Sequence, residues 1–221
     1  MTPLVEELKK QDIIDQLTWD DSVNANGIHV DVQDGTVQLK GTVPHFTAKL
    51  AAERDTMWVT GVNNVENYLE IEFPPRVPVP ADDEITENVA EMLFLDNRIT
   101  SNDITIETVT GMVSLSGTVS SYWEKYAAQQ IAGNVIGVVD VNNKLTVNLL
   151  QVIVDSEVEI GIKNAFRRNM LIDENRIHVS VTNGIARLTG NVANYLIKKE
   201  ALEIIIHTKG VIEVIDEITI E

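Results

Sequence analysis

The sequence predicts an α+β chain of three tandem, small α-β-β-α-β domains, each with two helices packed on a three-stranded mixed sheet. Three observations carry this. A hairpin pattern recurs as IHVDVQDGTVQLKGTV at 28–43, ITIETVTGMVSLSGTV at 104–119 and IHVSVTNGIARLTGNV at 177–192. Nine of the 12 glycines fall in one register: Gly35, Gly111 and Gly184 at the turn, then Gly41, Gly117 and Gly190, then Gly61, Gly137 and Gly210. Every copy also carries a helical stretch before the hairpin and another after it. Self-similarity at a fixed period is the signature of a repeat architecture. The expected units are 1–73, 81–149 and 150–221, with 74–80 as a proline-rich linker.

Each unit opens with a helix. Ile85, Val89 and Leu93 form a stripe at helical spacing, as do Val158, Ile162 and Phe166. The first copy supplies Ile13 and Leu17 but has Lys9 at the first position of the stripe, which predicts a looser first turn. Val23, Ile99 and Ile172 follow as loop anchors. In the hairpin, Ile28, Val30 and Val32 alternate with His29 and Asp31, the period of two of a half-buried strand. Asp34-Gly35, Thr110-Gly111 and Asn183-Gly184 suit a type I′ turn, which needs positive φ at both central residues. The second glycine of each copy points to a special backbone conformation or a close helix–sheet approach, not to ligand binding.

A second helix follows, with Ala128, Ile131 and Val135, and then Ala201, Ile204 and Ile205, as its buried side. The recurring Ala52, Ala128 and Ala201 allow close packing on the sheet, while the first copy places Asp55 where the others have Ile131 and Ile204. A Gly-Val turn and a last strand close each unit. The crossover helix makes the second and third strands parallel, so each sheet is mixed.

The two links between copies differ. FPPRVPVPADD (73–83) holds four of the six prolines and is expected to be extended, holding the first two copies apart. LTVNLLQVIVDS (145–156) is almost continuously apolar, which predicts an interface between the second and third copies while the first moves more freely.

Composition narrows the function. The net charge of −17 repels nucleic acid and anionic surfaces at long range. It is uneven: residues 1–73 carry 5 basic and 13 acidic side chains, 81–149 carry 3 and 10, and 150–221 carry 8 and 11. The absence of cysteine removes disulfides, thiolate metal sites and Cys nucleophiles. No apolar run approaches the roughly 20 residues of a transmembrane helix. The start, MTPLVEELKKQDIIDQL, has no signal-peptide pattern. The expected location is therefore cytoplasmic, or periplasmic if a targeting segment has been removed.

The combined motif resembles the BON domain, named for bacterial osmotically inducible and nodulation proteins. Its pattern is an Ile-x-Val-x-Val strand, a glycine turn, Val-x-Leu-x-Gly-x-Val, an alanine-rich helix and Gly-Val-x-x-Val, here GVNNV, GVVDV and GVIEV. The resemblance covers nearly the whole chain apart from the links. It implies association with osmotic and envelope stress, phospholipid binding as in periplasmic lipoproteins, or potassium sensing as in a cytoplasmic protein that pairs this domain with a LysM domain. Neither a LysM domain nor a lipobox cysteine occurs here. The resemblance implies no catalytic residues.

The residues themselves offer few sites. There is no HExxH, G-x-S-x-G, P-loop or G-x-G-x-x-G motif, so no enzyme is expected, nor a cofactor or metal. His29 and His178 share a strand position facing away from the core, which suits a surface role. The segment 96–107 has the length of an EF-hand loop but carries Arg98 at its third position and no glycine at its sixth. Asp20-Asp21 and Asp82-Asp83-Glu84 sit at helix ends, where capping explains them. The best binding candidate is the basic set of the third copy: Lys163, Arg167, Arg168, Arg176, Arg187, Lys198 and Lys199, able to meet phosphate head groups, against the competing reading that they pair with the eleven acidic side chains of the same copy as a solvated surface. Trp58, Tyr122, Trp123 and Tyr195 can add amphipathic contacts, though packing explains Tyr122 and Tyr195 equally well, since they hold matching positions before the second helix. The expected function is a stress-associated binding module for anionic phospholipid or a protein partner, the alternative a cytoplasmic sensor of potassium or calcium.

Overall fold

The computed structural model describes residues 3–75, 78–151 and 153–221. The first unit comprises α1 (Pro3–Trp19), β1 (Ile28–Gln33), β2 (Thr36–Val43), α2 (Phe46–Met57) and β3 (Asn64–Ile71). The second comprises α3 (Asp82–Leu95), β4 (Ile104–Val109), β5 (Met112–Val119), α4 (Tyr122–Gly133) and β6 (Asp140–Val147). The third comprises α5 (Asp155–Arg168), β7 (Ile177–Thr182), β8 (Ile185–Val192), α6 (Tyr195–Ile206) and β9 (Glu213–Ile220). In every sheet the second strand is central, antiparallel to the first and parallel to the third. Both helices lie on one face, and the other face stays open and largely polar.

The helix stripes are buried as the spacing predicts: Ile85, Val89 and Leu93, then Val158, Ile162 and Phe166, then Ile13 and Leu17. At the stripe position that Lys9 takes, the contact with the core is kept. Lys9 is buried, and its ammonium donates to the Gly61 carbonyl, so a snorkelled amine replaces the missing apolar contact. In the second helices Ala128, Ala201 and Ile205 are buried as predicted, but the buried line is shifted from Ile131 and Ile204. It runs through Ala127, Ala128 and Ala132 in α4 and through Ala201 and Ile205 in α6, with Ile131 and Ile204 only half-buried.

The hairpin turns have positive φ at Asp34, Thr110 and Asn183 and at the glycines that follow. The second glycine of each copy has the special backbone conformation expected of it, a positive φ at Gly41, Gly117 and Gly190, and its close approach is not to a helix. A Cβ at Gly41, Gly117 or Gly190 would lie 2.0, 1.9 or 2.0 Å from the carbonyl oxygen of Gly27, Asp103 or Arg176. These carbonyls belong to the residue entering the first strand of the same hairpin. The contact is therefore strand to strand and admits only hydrogen.

The acidic helix starts also act differently from expectation. The N-cap of α3 is Ala81, with no side-chain cap. Asp82 instead reaches the hairpin turn, accepting from Thr110 N at 2.8 Å and Gly111 N at 2.9 Å. Asp155 does the same at Asn183 N and Gly184 N, at 2.7 and 2.9 Å. The matching residue of the first unit, Glu6, makes one long bond of 3.4 Å to Asp34 N. One carboxylate thus ties the first helix to the turn of the hairpin beneath it.

The three units form a head-to-tail ring. Phe46, the first residue of α2, is 7% exposed and belongs to the core of the second unit, against Gly133. Tyr122, its counterpart in α4, packs on the core of the third unit, and Trp123 lies 6.1 Å from the His207 ring. The third unit returns to the first: Met57 packs on the third core, and Lys199 sits 5.8 Å over Trp58. In each case the start of one second helix meets the end of the next. A heterologous contact that closes after three steps makes a ring. This corrects the expectation of a freely moving first copy. The apolar 149–154 stretch is no buried bridge either: Leu150 is 93% exposed, Val154 is exposed, Ile153 packs on the third core, and Val152 lies outside the described residues. Arg76 and Val77 of the proline-rich linker also lie outside them.

Charge-assisted bonds of the Asp82 kind contribute about 1.5–3 kcal/mol each to stability at best. Asp82→Ala and Asp155→Ala should each lower the thermal midpoint by several degrees, and Glu6→Ala should change it little. Differential scanning calorimetry of the three variants measures this.

Candidate interaction surfaces

The basic set of the third unit does not converge on one patch. Lys163 pairs with Glu159 at 2.6 Å within α5, and Arg167 with Glu174 at 2.7 Å. Arg176 lies 3.7 Å from Glu221. Arg187 is on the sheet face away from the helices, paired with Glu217. Lys198 turns inward, bound to Asp216 at 2.9 Å and to the Ile218 carbonyl at 2.8 Å. Its counterparts Lys49 and Lys125 instead offer their backbone carbonyls to Asn67 and Asn143, the residues that match Asp216. Lys198 therefore ties α6 to β9, a part no spacing argument assigns it.

What the structure does bring together is the end of α5 and the loop after it. Arg167 and Arg168 are exposed there, beside Met170 at 95% exposure and Leu171 at 41%. Ile160 and Lys163 are exposed further back on α5. The same helix end carries exposed apolar side chains in the other units, Trp19 in the first and Phe94 and Leu95 in the second. Only the third unit adds two arginines to them. The signal was present in the sequence as apolar residues that no stripe accounts for.

A second cluster sits where the third unit meets the first. Arg54 holds two carboxylates at once, Asp20 at 2.8 Å and Asp55 at 2.9 Å. Asp55 is 5% exposed, and its Oδ2 is buried without a hydrogen-bond partner. Burial, and then the hydrogen bond to Asp20, push the Asp55 carboxyl above its ordinary value. Hydrogen bonds from the Ser22 side chain and backbone, with further help from Asp55 and Arg54, hold Asp20 down to about 2. Trp19, Trp58, Gln16 and Lys199 wall a cleft of about 660 Å³ around this cluster. A neighbouring cleft of about 650 Å³ takes residues from all three second helices, among them Tyr126, Tyr195 and Glu203.

The aromatic residues divide. Trp58 is exposed, whereas Tyr122 and Trp123 are half-buried against the third unit and Tyr195 is half-buried on the core of its own unit. Trp123 also stacks under the Arg98 guanidinium at 5.3 Å. Burial raises the pKa of Tyr122, Tyr126 and Tyr195, with nearby carboxylates adding to it. His29 and His178 are exposed on the open faces of their sheets. Among the described residues no helix is long and apolar enough to cross a membrane, and no three His, Asp or Glu side chains are grouped to hold a metal ion.

Comparison with known proteins adds the following. The family model of the BON domain matches residues 8–72, 81–148 and 155–221. The outer membrane lipoprotein DolP of Haemophilus influenzae is 32% identical over 108 residues, 48% of this chain and 54% of that protein. The chain thus spans about half the length of the curated relative it matches. A solved structure of CdsD, a structural protein of the type III secretion system of Chlamydia trachomatis, aligns over 94% of this chain and 90% of that chain at 16% identity, with a TM-score of 0.27. A structure of the CdsD C-terminal domain aligns at 15% identity with a TM-score of 0.28. Scores this low carry no argument. The DolP match overturns the cytoplasmic location expected from the N-terminal residues, because that relative is a protein of the outer membrane.

The carboxyl pair has a measurable signature. A folded pKa raised above 3.8 contributes stability below that value, which is lost as pH rises through the folded pKa. Asp20 acts in the opposite sense, contributing above 3.8 and losing its contribution as pH falls through about 2. Asp55→Ile, the residue of the other two copies, should raise stability at neutral pH by about 1 kcal/mol. It should also remove the decline above pH 4 while leaving the acid limb due to Asp20. Urea melts between pH 2 and 8 measure both limbs.

Proposed function

As the chain belongs to the BON domain family, we propose that it is a non-enzymatic binding module of the bacterial envelope that docks on anionic phospholipid head groups through the tip of its third unit. The observation that carries this is Met170, 95% exposed with Leu171 at its side and Arg167 and Arg168 one turn back. An apolar side chain that reaches out beside guanidinium groups matches the boundary between acyl chains and phosphates. Arginine adds a planar fork that meets two phosphate oxygens at once.

The overall charge of −17 opposes approach to such a surface but not contact with it. At 0.1 M salt, charges farther than about 10 Å are screened. The balance is then set by the side chains at the contact. Residues 150–221 hold 8 of the 17 basic side chains, and the α5 tip is where two of them stand next to exposed apolar groups. The similarity to an outer membrane lipoprotein supports a place at the envelope.

Flotation with vesicles containing phosphatidylglycerol tests the reading. Each basic residue near an anionic surface contributes about 1 kcal/mol. Arg167→Glu with Arg168→Glu should therefore weaken partitioning by at least roughly thirtyfold, and Met170→Asp should weaken it in neutral vesicles as well. Lys198→Glu is unsuited to this test because it breaks the tie between α6 and β9. Absence of flotation by the unaltered chain would overturn the lipid reading. A melting midpoint raised by potassium over matched sodium would favour cation sensing instead.

A further inference from the structure

The three junctions of the ring use one contact, but they are not equal. At the first-to-second junction the Phe46 ring fills the second unit's core, against a glycine whose Cβ would come within 2.9 Å of it. At the second-to-third junction Tyr122 packs on the third core and Trp123 on His207. Each of these pairs is also joined directly by a short stretch of chain. The third-to-first junction has no such link. Tyr195, the counterpart of Phe46 and Tyr122, packs on its own unit's core. The contacts across the seam are Met57 on the third core and Lys199 over Trp58. Both clefts of about 650–660 Å³ open at this seam.

We propose that this seam is exchangeable: the α6 surface of one chain docks on the α2 end of a second copy, giving a domain-exchanged dimer. The occupant is fixed by the fold itself. The surface around Lys199 already fits the socket around Met57 and Trp58 within one chain, and a second copy presents an identical surface. Exchanging identical elements creates no new contact, so its free energy differs from closure mainly in the entropy of association. Closure within a chain is favoured by an effective concentration in the millimolar range for short tethers. Exchange therefore becomes visible as the protein approaches that concentration, and it starts at the seam that is least filled.

The chain has no cysteine, which permits a direct test. Asn64 and Leu202 line the same cleft from opposite sides of the seam. A chain carrying both Asn64→Cys and Leu202→Cys should cross-link internally with a flexible bismaleimide at micromolar concentration. A mixture of the two single variants at about millimolar concentration should give a two-chain band on a denaturing gel, severalfold stronger than either variant alone. Trp58→Ala should lower both products. If the double variant cross-links internally but the mixture gives no excess band, the ring does not exchange and the proposal fails. If the double variant does not cross-link, the seam itself is absent and the proposal fails with it.

Discussion

A sheet of three strands with two short helices buries too little apolar surface to be secure alone. Each unit here relies on about a dozen core side chains, and the arrangement conserves all of them. The helix stripes and the inward sides of the strands meet over one sheet face, and the other is largely polar, with Tyr68, Val109 and Met112 as exposed exceptions. The second glycine of each hairpin serves this economy. By letting a strand pass against the carbonyl of its neighbour, it keeps Leu39, Leu115 and Leu188 fully buried under the helices. Lengthening that contact by a methyl group would displace the central strand, and the central strand carries both sheet pairings.

What the units lack individually is recovered between them. Phe46 belongs to the core of a domain other than its own, and Tyr122 and Met57 lean on neighbouring cores in the same way. The ring is thus an extension of three small cores into each other's territory. Two buried polar exceptions lie in the first unit. Asp55 occupies an apolar register position, and Arg54 and Asp20 compensate it. Lys9 likewise occupies one and is compensated by a backbone carbonyl.

Much of this was legible in the residues. The glycine register, the 3.6-residue stripes and the alternation in the hairpins fix the elements, their order and the mixed sheet. The parity of His29 and His178 places them on the outer face. The rest was hidden for physical reasons. Asp82 and Asp155 stand where a capping residue stands, but their acceptors are N–H groups 28 and 29 residues away. Lys198 is one of several lysines until Asp216 comes beside it. The aromatic position shared by Phe46, Tyr122 and Tyr195 was visible, yet its partner is another domain, and pairing between repeats leaves no periodic mark. The α5 tip was half legible: its arginines stood out by charge, while Met170 acquires meaning only from its exposure.

The head-to-tail contacts also bear on what the loss of one unit would cost the others. Phe46 completes the core of the second unit and Tyr122 covers that of the third. Removing the second unit would strand Phe46 in water and uncover the third core at once, so the stability of each unit is partly a property of its neighbours.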